Sequence, residues 1–72
     1  MSGIRTVELG QFEDERAGAI AARLEAAGIV HWAKRSGGLT RWLSAGDWGT
    51  RLFVDDERLE EARRLAAEVL EG

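Results

Sequence analysis

Two segments of this chain have apolar residues at helical spacing, and each follows a segment rich in β-forming residues. The helices are predicted over 13–27 and from Asp55 or Asp56 towards the C-terminus. The β-rich segments cover 4–9, 29–33, 39–43 and 50–54. Because strand-helix-strand crossovers are almost always right-handed, both helices are expected on one face of the sheet. The order strand-helix-strand-strand-(strand)-helix predicts an α+β fold, a two-layer ferredoxin-like sandwich whose last strand is missing or supplied by a partner.

Glycines and acidic residues mark the expected ends of these elements. Gly10 is predicted to end the first strand. Gly28 is predicted to end the first helix, because glycine adopts the left-handed conformation of a helix C-cap without steric cost. Asp55 or Asp56 is predicted to accept hydrogen bonds from the free amides of the second helix.

The strand pairing within residues 29–45 stays open. Residues 36–38, Ser-Gly-Gly, favour a tight turn, and residues 39–43 fit either a return strand or a loop. A three-residue turn places Trp32 opposite Trp42, whereas a two-residue Gly-Gly turn breaks that pairing.

The length of 72 residues predicts one domain spanning 1–72, which buries only about three-fifths of its unfolded surface. The chain has no cysteine and one histidine, so no disulfide, metal site or cofactor is predicted. Self-association remains as a means of stabilisation. No apolar run is long enough to span a membrane, and the N-terminus lacks the apolar region of a signal peptide, so a cytoplasmic location is expected.

Residues 29–54 combine an excess of positive charge with a concentration of tryptophan. The whole chain carries a net charge of −3, but this segment has four basic residues against Asp47 alone, and it holds all three tryptophans. The candidate binding residues are Lys34, Arg35, Arg41, Trp42, Trp48 and Arg51. Arginine and indole together bind protein partners, small anionic ligands or single-stranded nucleic acid. The simpler interpretation is a tryptophan core with a basic strand edge, and the overall acidity argues against nucleic acid.

The sequence does not predict an enzyme. A serine nucleophile would need His31 as its base, and His31 fits better as a structural residue on a strand. Residues 55–57, Asp-Asp-Glu, fit helix capping better than a cation site. Residues 36–38 lack the spacing of a phosphate-binding loop.

One helix-to-strand junction and one strand-to-helix junction of this chain resemble those of a known family. Residues 17–29 read Ala-Gly-Ala-Ile-Ala-Ala-Arg-Leu-Glu-Ala-Ala-Gly-Ile, and residues 52–65 read Leu-Phe-Val-Asp-Asp-Glu-Arg-Leu-Glu-Glu-Ala-Arg-Arg-Leu. Both resemble the DUF2007 family of prokaryotic signal-transducing proteins. The resemblance implies a sandwich related to the GlnB-like regulatory proteins and a regulatory role, without catalytic residues. Residues 24–29 are also similar to a junction in ACT-type ligand-binding domains.

The resulting hypothesis is a non-enzymatic regulatory module that binds as a homodimer, because helices can cover only one of two apolar sheet faces. The alternatives are an ACT-like small-ligand sensor and, less favoured, a nucleic-acid-binding module that uses residues 29–54. Trp32 is expected in the core. Trp48, flanked by loop residues, is expected to bind a partner, so that Trp48→Ala weakens association and leaves the fold intact.

Overall fold

The computed structural model describes residues 5–35 and 48–72. The elements in chain order are β1 (Thr6–Phe12), α1 (Asp14–Ala26), β2 (His31–Arg35), β3 (Thr50–Asp55), a single 3-10 turn (Asp56–Arg58) and α2 (Leu59–Glu71). The predicted turn at 36–38, the candidate strand at 39–43 and the pairing of Trp32 with Trp42 lie outside the described residues. Within the described ranges, no helix has the length and apolar character needed to cross a membrane.

The sheet has the order β1-β3-β2, and β3 runs antiparallel to both neighbours. The chain therefore passes from β1 through α1 to β2, and β3 then inserts between those two strands. This arrangement is the core of a ferredoxin-like sandwich, so the predicted α+β fold is confirmed.

The structure corrects the predicted end of the first strand. β1 continues through Gly10 to Phe12, and the pairing with β3 shifts between Glu8 and Gly10, which is the signature of a β-bulge. The ring of Phe12 lies over Gly10, where a Cβ atom would stand 2.8 Å from the ring. Gly10 therefore makes room for an aromatic ring on the same strand instead of ending the strand.

The structure confirms one of the two predicted helix boundaries. Gly28 has a φ of 73°, its amide donates to Glu25 O, and the Ile29 amide donates to Leu24 O. These two bonds form a Schellman motif, which confirms the predicted end of α1.

The Asp55 carboxylate accepts a 3.0 Å hydrogen bond from the Glu57 amide, so it caps the 3-10 turn. The prediction that Asp55 or Asp56 begins and caps the second helix is wrong, because α2 begins at Leu59 and its first residue is preceded by Arg58 without a side-chain cap.

The core lies between the helices and one face of the sheet. Its largest fully buried side chains are Ile20, Leu24, Leu52 and Val54. The buried residues of α2 are Ala62 and Ala66. The helices are linked at the surface by Arg23 and Glu68, whose charged groups are 3.0 Å apart. All this packing lies on one side of the sheet, so no helix within residues 5–35 and 48–72 covers the opposite side.

Candidate functional site

The alternation of β3 assigns its residues to two faces. Thr50, Leu52 and Val54 are buried towards the helices, so Arg51, Phe53 and Asp55 point to the other side. Residues directly paired across a sheet share a face. The register therefore defines the open face by Arg51, Phe53 and Asp55 on β3, Trp32 and Lys34 on β2, and Thr6, Glu8 and Gln11 on β1.

An aromatic stack stands at the centre of the open face. The rings of Trp32 and Phe53 lie parallel, with centroids 4.4 Å apart and an interplanar angle of 10°. The indole Nε1 points at Thr6 Oγ1, 3.5 Å away, so Trp32 extends across β3 towards β1. Trp32 is nevertheless 47% exposed, and the expectation that it belongs to the core is wrong. About half of a large aromatic surface is thus left uncovered by the part of the chain that the structure describes.

Four charged residues surround this stack. Lys34 and Arg51 are directly paired on one side of the aromatic stack. Asp55 lies on the other side of the stack, as the next outward-facing residue of β3 after Phe53. Glu8 pairs with Phe53 at the β1 edge. Counted over the described residues, the open face therefore carries two positive and two negative side chains and no net charge.

The structure separates the predicted site residues. Lys34 and Arg51 lie on the open face, but Arg35 follows Lys34 on the strand and points to the helix side. Trp48 is 45% exposed just before β3, and its carbonyl accepts a hydrogen bond from the Gln11 side chain. The remaining two predicted residues, Arg41 and Trp42, lie outside the described residues.

Sequence reasoning missed Phe53 and Glu8 as parts of the site. The alternation in residues 50–55 carried the signal for Phe53, because buried Leu52 and Val54 require the residue between them to face outwards. Glu8 joins the site only through its pairing with Phe53, which is 45 positions further along the chain. Nothing local in the sequence reports that contact.

A second feature, the cleft, lies on the helix side of the sheet between α1 and β2. Its volume is about 270 Å³, and its lining is mostly small or apolar: Ala17, Gly18, Ala21, Ala33 and Leu52. Asp14, Arg35 and Thr50 supply the polar lining. Asp14 Oδ1 accepts a 2.7 Å hydrogen bond from the Thr50 hydroxyl and lies 3.9 Å from Arg35 Nε.

The two outer strands of the sheet formed by the described residues carry features that discourage strand addition. β1 contains the bulge between Glu8 and Gly10, and β2 carries Lys34 and Arg35 side by side. Bulges and basic residues are typical means by which edge strands avoid pairing with other chains. The open face is therefore better suited than either edge to contact another molecule.

The groups that the sequence raised for catalysis or for a cation site make structural contacts. His31 Nδ1 lies 2.9 Å from the carbonyl oxygen of Ile29. A carbonyl oxygen accepts, so Nδ1 donates this hydrogen bond, which ties the ring to the backbone just before β2. Asp55 caps the 3-10 turn, as described above. These contacts favour the structural interpretation of both residues.

Comparisons with known proteins do not assign the chain to a family. No family model, no curated protein and no solved structure matches it.

Proposed function

We propose that this protein is a non-enzymatic, cytoplasmic regulatory module that acts by binding and that self-associates through the open face. The observation that carries the proposal is the half-exposed stack of Trp32 on Phe53. Large aromatic side chains contribute most to binding energy when a partner removes them from water. The regulatory part of the proposal rests on the resemblance of residues 17–29 and 52–65 to DUF2007 proteins.

The size of the open face sets the expected affinity. Three strands about 4.8 Å apart and about six residues long give a face of roughly 300 Å². A standard stable interface buries about 800 Å² per partner, so self-association through the open face alone is expected to be weak. Such an affinity suits a module that exchanges its partners.

Replacing Trp32 with serine is expected to weaken self-association at least about tenfold while the domain stays folded. The ring is half exposed, so the loss of its contacts with Phe53 is expected to cost about 1–2 kcal/mol of unfolding free energy. Sedimentation equilibrium between about 20 and 500 μM measures the association, and urea denaturation measures the stability.

Leu70→Ser is the matched control, because Leu70 is 41% exposed on α2, away from the sheet. It should leave self-association unchanged. A wild-type chain that stays monomeric at the highest concentration, or equal weakening by both substitutions, would contradict the proposed binding surface.

A small-ligand sensor is the second candidate, and the cleft favours it. The cleft is below the 300 Å³ at which typical ligand sites begin, so it fits a compact molecule of about ten non-hydrogen atoms. Its apolar floor would take an aliphatic group. Asp14 and Arg35 would bind an ammonium and a carboxylate respectively.

Leucine, isovalerate and isopentylamine test this candidate, because they share one branched aliphatic group and differ in charge. A ligand at ten times its dissociation constant raises the unfolding free energy by about 1.4 kcal/mol, which is a shift of several degrees in melting temperature. Gly18→Leu should abolish the shift, because Gly18 faces open space and a larger side chain there fills the cleft. If none of the three compounds shifts the melting temperature, or if the shift is equal in the variant, the cleft is not the binding site of such a ligand.

A further inference from the structure

The charges of the open face are separated along the strands. Arg51, Phe53 and Asp55 follow one another on the outward side of β3, so the arginine and the aspartate stand about 13 Å apart with the aromatic row between them. Lys34 stands beside Arg51, which makes that end of the face basic. The other end carries Asp55.

These charges have no oppositely charged partners within residues 5–35 and 48–72. The ion pairs of that part of the chain connect other residues, and Lys34, Arg51 and Glu8 take part in none of them. Lys34 and Arg51 are also directly paired, and like charges in that position destabilise a sheet. An acidic group placed over them from outside would relieve this repulsion.

We propose that the open face binds a second copy of this chain, related by a two-fold axis that lies in the interface and runs across the strands along the aromatic row. The inference rests on the proposed self-association. The axis reverses the strand direction of the second copy, so Arg51 of one chain faces the partner's Asp55, and the partner's Arg51 faces Asp55. The two aromatic stacks then meet at the centre and leave water together. Glu8 pairs with Phe53 and therefore also lies on the axis, where it meets the partner's Glu8 at the β1 edge.

The charges discriminate between this arrangement and its alternatives. A two-fold axis along the strands would place Arg51 against the partner's Arg51, which is repulsive. A polyanion such as single-stranded nucleic acid would bring phosphates onto Glu8 and Asp55 as well as onto the basic end. Of the two dimers, the inverted one is favoured, because it sets two Arg51–Asp55 attractions against one repulsion between the Glu8 carboxylates.

Two charge variants of the open face test the arrangement. Lys34→Glu with Arg51→Glu makes the face entirely acidic, and Glu8→Lys with Asp55→Asn makes it entirely basic. Asparagine keeps a side-chain oxygen for the Glu57 amide, so the cap of the 3-10 turn is retained. Each variant alone is expected to self-associate at least about tenfold more weakly than the wild-type chain, because like charges then meet.

An equimolar mixture of the two variants is expected to form a heterodimer at least as tight as the wild-type homodimer. Sedimentation equilibrium at low salt, about 20 mM, keeps the charges unscreened, and circular dichroism checks that both variants are folded. A wild-type dimer with a monomeric mixture would overturn the charge pairing across the open face but not self-association. A monomeric wild-type chain would overturn both, as would association that needs an added oligonucleotide. If the variants dimerise as tightly as the wild-type chain, the interface does not lie on the open face.

Discussion

Replacing Leu24 with alanine is expected to lower the free energy of unfolding by about 3–5 kcal/mol. Leu24 is fully buried on α1 in the core cluster, so the substitution removes apolar contacts and leaves a cavity. A domain of 72 residues has a total stability of about 4–11 kcal/mol. Urea denaturation followed by circular dichroism should show an unfolding midpoint far below that of the wild-type chain.

Leu65→Ala is the matched control, since it is the same chemical change on α2. The sequence places both leucines on inward helix stripes, but the structure leaves Leu65 partly exposed at the margin of the core. Its loss should cost about half as much, because the cost follows the surface buried. Equal losses at both sites, or a loss below about 1 kcal/mol at Leu24, would mean that the position of the core is wrong.

The two helices and the end of α1 were predictable because local physics determines them. The acidic first turn, the apolar spacing and Gly28 lie within one short stretch of chain, and each acts on its immediate neighbours. The same holds for the Asp55 cap, whose partner amide is two residues away. Interactions of this range are readable from a sequence without knowledge of the tertiary fold.

The extent of β1 was not predictable because a tertiary arrangement overrides the local preference. Glycine normally weakens a strand. Here Gly10 lies in a bulge beneath the ring of Phe12, and β3 pairs with the strand on both sides of it. Only the position of β3 shows that the chain is still extended at Phe12.

The candidate site was predictable in part. Alternation along β2 separates Trp32 and Lys34 from Ala33 and Arg35, and it can be read from the sequence. Which of these two sides the helices cover cannot be read in the same way, because both sides of the strand carry apolar residues. The tertiary packing decides it, and it moves Trp32 from the expected core to the open face.

Replacing Gly49 with alanine is expected to destabilise the domain by about 3–4 kcal/mol, counting both left-handed strain and overpacking. Gly49 is buried with a φ of 67°, a conformation that side chains with a Cβ rarely adopt. A Cβ atom there would overlap the carbonyl oxygen of Phe12 and lie 3.0 Å from its carbonyl carbon. Both clashing atoms belong to backbone at the end of β1, so relief requires the strands to move apart. Thermal and urea denaturation measure the loss.

Gly28→Ala separates the two causes, because Gly28 has a similar φ of 73° but open space around it. In this variant the free energy of unfolding falls by about 1 kcal/mol, because only the left-handed conformation is strained. The difference between the two variants is the cost of forcing β1 and β3 apart. Because Gln11 holds the Trp48 carbonyl at the same junction, Gly49→Ala should also disturb the open face, where Gln11 pairs with Arg51. Equal losses from the two alanine substitutions would show that the strands meet less closely at Gly49 than described.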